Sequence, residues 1–153
     1  MKDDVFFDRI EKIKGRLYRI AYSYFNNESK AVDMVDESIY HAYLKKRQLR
    51  EEEYMETWLV RILINRCKTE YAKYKKQVGI EEIPEEATYA EYDNLSLKDA
   101  MERLPEQYRQ VVILKYFAGY TIVEISNMLE LAQGTVATRM RKALELLRIE
   151  MSE

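Results

Sequence analysis

The sequence predicts an all-α fold: two small helical domains joined by a flexible acidic linker. Three observations carry this. Apolar residues recur at helical spacing over long stretches of both halves. No segment sustains period-two alternation, and no Asn-Gly or Asp-Gly turn pair occurs. With only 4 Gly and 2 Pro in 153 residues, chain breakers are few, and the clearest loss of periodicity lies between Gln77 and Ser96. The pattern divides the chain into residues 1–76, a linker over 77–96, and residues 97–153.

In chain order, Val5 to Phe25 places Phe6, Ile10, Ile13, Leu17, Ile20 and Ala21 on one helical face. Asn26-Asn27-Glu28-Ser29 breaks it with capping residues, and a second helix runs to about Leu44 with Val32, Val35, Ile39 and Ala42 inward. Lys45 to Glu53 is polar and aperiodic, a helix end and loop. From about Tyr54 a third helix turns Trp58, Leu59, Ile62 and Leu63 inward and grades into a basic stretch ending near Lys76. The linker holds Gly79, Pro84 and the acids Glu81, Glu82, Glu85, Glu86, Glu91 and Asp93. Helix resumes after Ser96, which with Asp99 forms the pattern of a capping box. Leu97, Met101 and Leu104 face inward, Pro105 restarts the helix, Gly119 ends it, and two shorter helices follow.

Composition narrows the class. Hydrophobic residues at 47% supply a core, and charged residues at 34% a solvated surface. The single Cys67 excludes an intramolecular disulfide and fits a reducing cytoplasm. Acids at Asp3, Asp4 and Asp8 stand where a secretory signal needs basic and apolar residues, and no apolar run approaches the roughly 20 residues of a membrane span, so no membrane insertion is expected. The net charge is only −2, but its distribution is uneven. Arg61, Arg66, Lys68, Lys73, Lys75 and Lys76 face only Glu70 in their stretch; Arg139, Arg141, Lys142 and Arg148 face only Glu145 in theirs. Two basic stretches around an acidic segment suggest two contact surfaces for a polyanion, although such runs also occur as plain solvated faces.

The strongest motif runs from Tyr120 to Leu144. Thr121 with Glu124 is a Thr-x-x-Glu capping box; Ile122, Ile125 and Leu129 give the first helix an apolar face, and small Ser126 permits a close crossing. Leu131 lies in the turn. Val136, Met140, Ala143, Leu144 and Leu147 define the buried side of the next helix, while Thr135, Thr138, Arg141 and Lys142 lie opposite. Short hydroxyls followed by cations suit a recognition helix, whose first turns meet base edges while longer cations reach phosphates. Glu130 occupies the turn position where a Gly of positive φ is usual.

With Leu104-Pro105-Glu106, Gly119-Tyr120-Thr121, Glu124-Ile125 and Gly134-Thr135-Val136, this half resembles region 4 of extracytoplasmic-function sigma factors. The resemblance implies binding to the −35 promoter element and to the flap of the polymerase β subunit. It assigns backbone contact to Lys115, cap and phosphate contact to Thr121, and groove contact to Gly134, Ala137, Thr138 and Arg141, with Thr135, Arg139 and Lys142 on the same DNA-facing helix. Ala137 departs from the Lys or Arg common there, and alanine donates nothing to guanine.

The first half carries a second resemblance. Ala31-Val32-Asp33-Met34-Val35-Asp36-Glu37-Ser38-Ile39 is similar to the family helix that docks on the clamp coiled coil of the β′ subunit, so Asp33, Asp36 and Glu37 are the implied polymerase contacts. Thr57-Trp58-Leu59-Val60-Arg61-Ile62-Leu63-Ile64-Asn65-Arg66 resembles the family's −10 helix, with Trp58 in the core. Arg61, Asn65, Lys68 and Ala72 trace one stripe, thickened by Arg66, Lys73 and Lys76, and Tyr71 and Tyr74 interleave with the lysines. Cations beside rings are what single-stranded DNA binding needs. The preceding loop, about Gln48 to Glu56, is the implied pocket for a flipped base, with Tyr54 its candidate contact. Thr69 replaces an Asp frequent in the family. The resemblance implies that the acidic linker threads the path later taken by RNA, that an anti-sigma factor is among the partners, and that no cofactor is needed.

Three other classes fit the sequence less well. An enzyme would need more than His41 and Cys67, and the chain has no Gly-rich phosphate loop and no metal-ligand spacing. A stand-alone helix-turn-helix regulator, or a pure interaction protein, would not need both an acidic docking helix and a basic aromatic one.

Overall fold

The structure, a computed structural model, describes residues 1–82 and 96–147. Expectations resting on 83–95, including Pro84 and the acids beyond Glu82, and on Arg148 lie outside the described residues. Among the described residues there are seven α-helices and no strand.

In the first half, α1 (Asp3–Phe25), α2 (Glu28–Leu44) and α3 (Met55–Val78) pack against one another. Helix α1 ends where Asn26 takes a left-handed conformation, φ 49°, and returns its N–H to the Tyr22 carbonyl. Asn27 then caps α2 by accepting from the Lys30 N–H at 2.8 Å, so the Asn-Asn pair closes one helix and opens the next. Phe6, Ile10, Leu17, Ile20 and Ala21 are buried, as their spacing indicates, and Tyr24 joins them. The stretch after α2 holds two short 3₁₀ turns, Lys46–Gln48 and Glu52–Tyr54. Helix α3 closes on Gly79 at φ 74°, a conformation costly for any side chain with a Cβ.

In the second half, Ser96 caps α4 (Leu97–Arg103) by accepting from the Asp99 N–H. Pro105 precedes α5 (Glu106–Val112), which continues as a π-helical stretch, Ile113–Phe117, to Gly119 at φ 83°. Helices α6 (Ile122–Leu129) and α7 (Gln133–Leu146) complete this half.

Several inward assignments need correction. Val32 is 42% exposed and Leu97 58%. The buried stripe of α2 is Ala31, Met34, Val35, Ser38 and Ala42, a cleaner helical period than one through Val32. Ser38 qualifies because its hydroxyl donates to the Met34 carbonyl at 2.8 Å, leaving no unpaired polar atom. Ile39, Trp58 and Ile62 are half-buried against the core rather than within it.

The periodicity did not indicate that the two halves share a core. Helix α3 packs against α6, and α1 against Ile113–Phe117. Val111, Ile113, Leu114, Tyr120, Ile125 and Met128 belong to the same buried cluster as Phe6, Leu59 and Leu63.

Candidate nucleic-acid interface

The helix-turn-helix is built as its sequence specifies. The Thr121 hydroxyl accepts from the Glu124 N–H at 3.1 Å, and the Glu124 carboxylate accepts from the Thr121 N–H at 2.9 Å. This reciprocal box satisfies two donors of the α6 start that no helical carbonyl can reach. Glu130 ends α6 in the left-handed region, φ 56° and ψ 46°. The Leu131 N–H returns to the Ser126 carbonyl at 3.0 Å, and the Ser126 hydroxyl donates to the Leu131 carbonyl at 2.5 Å. The turn is thereby tied to the helix it leaves, which sets the angle of α7.

On α7, Val136, Met140, Ala143 and Leu144 are buried, while Gly134, Thr135, Thr138 and Arg141 are exposed and Ala137, Arg139 and Lys142 half-buried. Gly134, Thr135, Thr138, Arg139 and Lys142 line one open groove of about 540 Å³ together with Gln107 and Tyr108 of α5. Gln107 escaped the sequence reading; it lies in the first turn of α5, and nothing in its local pattern places it beside α7. Lys115 is half-buried in the π-helical stretch, and Thr121 is exposed.

In the first half, Asp33, Asp36 and Glu37 lie exposed on α2. Asn65, Lys68, Lys73 and Lys76 lie exposed on α3, and Tyr54 is 57% exposed at the loop end. The acidic and basic faces meet at one place, where Arg66 Nη1 lies 3.9 Å from Glu37 Oε2. Lys73 pairs with Glu70 at 3.7 Å, and Lys30 with Glu70 at 3.1 Å; the Lys30 bond holds the Glu70 carboxyl below its usual pKa range.

Tyr71 requires a correction. Expected as a ring open to bases, it is 2% exposed. The Arg109 guanidinium lies 3.8 Å from its ring centroid, and its hydroxyl donates to the Glu102 carbonyl at 3.3 Å. Within this arrangement only Tyr74, 42% exposed, presents a ring beside the lysines. Arg61 is also occupied: its Nε donates to the Met128 carbonyl at 3.1 Å, its Nη2 to the Asn127 carbonyl at 2.5 Å, and its Nη1 lies 3.4 Å from Glu130 Oε1.

A buried polar cluster joins the halves further along. Arg109, 2% exposed, donates from Nη2 to the Ser23 and Tyr24 carbonyls at 3.2 and 2.9 Å, and the Tyr24 hydroxyl donates to Glu106 Oε1 at 2.5 Å. Burial raises the Glu106 carboxyl above its usual range against the opposing pull of Tyr24 and Arg109. Among the described residues the buried Arg109 Nε and Nη1 have no hydrogen-bond partner, and the stacked Tyr71 ring compensates part of that cost. Beside this cluster opens an apolar cleft of about 600 Å³ lined by Tyr22, Phe25, Tyr74, Met101, Tyr116 and Phe117, among others. None of these cross-half contacts was legible as a motif, because each pairs residues separated by long stretches of chain.

His41 lies in the last turn of α2, with its pKa lowered by desolvation and by nearby Lys45 and Arg66. Cys67 is buried, and burial pushes its thiol up to about 12, far from a reactive thiolate. Among the described residues no group of three or more His, Cys, Asp or Glu is placed to hold a metal, and no helix is long and apolar enough to cross a membrane.

Comparison with known proteins agrees with this geometry. A family model for Sigma-70 region 2 matches residues 9–77, and one for Sigma-70, region 4 matches residues 94–147. The chain is 29% identical over 145 residues to RNA polymerase sigma factor SigV of Bacillus subtilis, covering 92% of this chain and 87% of that protein. It is 26% identical over 169 residues to the ECF RNA polymerase sigma factor SigW of the same organism, covering 98% and 90%. Among solved structures, the sigma factor RpoE in complex with the anti-sigma factor NepR from Bartonella quintana superposes with a TM-score of 0.68 at 22% identity, over 95% of this chain and 98% of that one. CnrH in complex with the cytosolic domain of CnrY gives 0.74 at 18% identity, over 96% and 87%. Both family models, in order, and relatives matched over nearly their whole length lead to one assignment: the chain belongs to the extracytoplasmic-function sigma factors of the sigma-70 family.

Proposed function

We propose that this protein is an alternative sigma factor that binds core RNA polymerase and directs promoter-specific transcription initiation through the residues located above. Residues 1–76 serve polymerase docking and −10 recognition, 77–96 the linker, and 97–153 −35 recognition. Asp33, Asp36 and Glu37 offer carboxylates to arginines of the β′ clamp. Arg61, Asn65, Arg66, Lys68, Lys73 and Lys76, with Tyr54, follow the opened −10 strand. Thr135, Thr138, Arg139, Arg141 and Lys142, with Gly134 and Ala137, enter the −35 groove while Lys115 and Thr121 hold the backbone, and the β flap receives this half. Tyr71 is not retained among the DNA contacts.

The observation that carries this reading is the presence in one chain of an exposed acidic face on α2, an exposed basic face on α3 and a capped helix-turn-helix. A stand-alone regulator has no use for the first two, and the family membership displaces that alternative. Chemistry belongs to the polymerase; this chain selects the start site, acts in the cytoplasm and needs no cofactor. An anti-sigma factor is its expected antagonist, as NepR is the bound partner in the RpoE complex it resembles.

The test is reconstitution. The purified chain should bind core RNA polymerase and direct specific starts on promoter DNA. Binding to duplex DNA without binding to core would refute the assignment.

A further inference from the structure

Arg109 is buried with part of its hydrogen-bonding capacity unused. It is 2% exposed, and only its Nη2 donates, to the Ser23 and Tyr24 carbonyls. Among the described residues its Nε and Nη1 have no hydrogen-bond partner, and none of the ion pairs includes it. The Glu106 carboxylate, three residues earlier, is taken by the Tyr24 hydroxyl. The Tyr71 and Tyr24 ring centroids lie 3.8 and 5.2 Å from the guanidinium. Ring faces replace only part of the lost hydration, and a buried cation without an anion is costly.

The same side chain lines the apolar cleft of about 600 Å³, a volume within the range of small-molecule sites. Tyr22, Tyr74, Leu97, Tyr116 and Phe117, each 40% to 58% exposed, are gathered around that cleft. Single exposed apolar side chains are ordinary, whereas five around one concavity mark a place where something apolar binds. The charged side chains of the lining are Lys98 and Arg109 against Glu102, so cations outnumber acids by one. An apolar wall beside an underused guanidinium selects an apolar body carrying one negative charge. A neutral or cationic body would leave Arg109 as it is.

We propose that this cleft is a binding site for a small amphipathic monocarboxylate, whose carboxylate is held by Arg109 and whose acyl or aryl body lies among Tyr22, Phe25, Met101, Tyr116 and Phe117. A carboxylate supplies the charge-assisted hydrogen bond that the unused donors of Arg109 lack, and guanidinium is the side chain best matched to it. None of the residues assigned above to core docking or promoter contact lines the cleft. The site is therefore additional to that function and does not rest on it. Because such a ligand binds the folded chain and not the unfolded one, it raises thermal stability in proportion to its occupancy.

The test titrates decanoate and naphthoate into the full chain by calorimetry, below the micelle-forming range, with decanol as the uncharged counterpart. At least one carboxylate should bind one molecule per chain, and which one binds distinguishes an acyl body from an aryl one. Decanol should bind at least about tenfold more weakly than decanoate, the loss expected of one charge-assisted hydrogen bond. With isotope-labelled methionine methyls, the Met101 resonance should move, and that of Met55, in the separate groove beside Arg9, should not. Arg109→Gln should weaken carboxylate binding at least about tenfold and leave decanol unchanged. Since Arg109 also holds the end of α1, Met101→Trp is the second variant: it fills the cleft, keeps Arg109, and should abolish binding at unchanged helical content. If Arg109→Gln does not fold, decanol and Met101→Trp decide. No binding of either carboxylate, equal affinity for decanol and decanoate, a Met101 resonance that stays still, or full binding by Met101→Trp would overturn the site. Core polymerase takes no part in these measurements, so their outcome is independent of the reconstitution that tests the sigma reading.

Discussion

The Tyr24 hydroxyl donates to Glu106 Oε1 at 2.5 Å, joining the last turn of α1 to the first turn of α5 across the shared core. The phenol is fully buried and its pKa is raised by desolvation first and by Glu106 second. A buried carboxyl that loses its donor costs the desolvation of that group, about 1–3 kcal/mol. Tyr24→Phe should therefore lower the thermal midpoint by several degrees, since about 1 kcal/mol moves a chain of this size by roughly 2–4 °C. Glu106→Gln keeps an acceptor for Tyr24 and should shift the midpoint less; equal losses in calorimetry would show that the charge, not the hydrogen bond, is what matters.

Glu106 also sets a pH dependence. Its ordinary value is 4.5 and its folded value lies above that, raised by burial; Tyr24, Arg109, Lys75 and Gln110 pull the other way without cancelling it. A group whose folded pKa is raised contributes stability that is present in full below the unfolded value and is lost as pH rises through the folded one. Between pH 4.5 and the raised value, Glu106 should make the protein less stable as pH increases. Comparing chemical unfolding of wild type and Glu106→Gln across this range checks it: the difference between them should change with pH, and a constant difference would contradict the assignment.

The docking face on α2 is separable from DNA binding. Asp33→Lys with Glu37→Lys reverses two exposed carboxylates and should abolish association with core polymerase while leaving duplex binding by the α7 face intact. Wild-type affinity for core in that double variant would remove α2 from the interface.

On α3, exposed Lys73 and Lys76 are assigned to phosphates. Phosphate contacts contribute through counterion release, each worth about 0.7 in the salt slope for a single strand. Lys73→Ala with Lys76→Ala should flatten the logarithmic salt dependence of single-strand binding by about 1.4. With Arg61→Ala added, promoter opening should fall more than core binding; equal loss of both would show that α3 serves docking instead.

The helix-turn-helix was legible because its determinants are local. Thr121 and Glu124 are three residues apart and bond to each other's backbone, and the alternation of buried Val136 and Met140 with exposed Thr135 and Thr138 follows from one helical period. The same holds for the α1 stripe from Phe6 to Ala21. Val32 and Leu97 misled because an apolar side chain was counted as an inward one, whereas Ser38, satisfied by its own helix, takes a buried place. Tyr71 misled for a different reason. Its neighbours in sequence are lysines, but its neighbours in space are Arg109, Tyr24 and Phe25.

The sequence alone determined the helices, most of their buried faces, the acidic and basic surfaces and the family they belong to, since each depends on residues within a turn or two of one another. Tertiary structure alone decided which of the charged residues are free. Arg61 and Arg66 sit on the same helix, yet one is bound by the end of α6 and the other approaches Glu37 on α2. That choice belongs to the packing of the two halves, because an orphan carbonyl at a helix end becomes a binding site only when the fold brings an arginine to it.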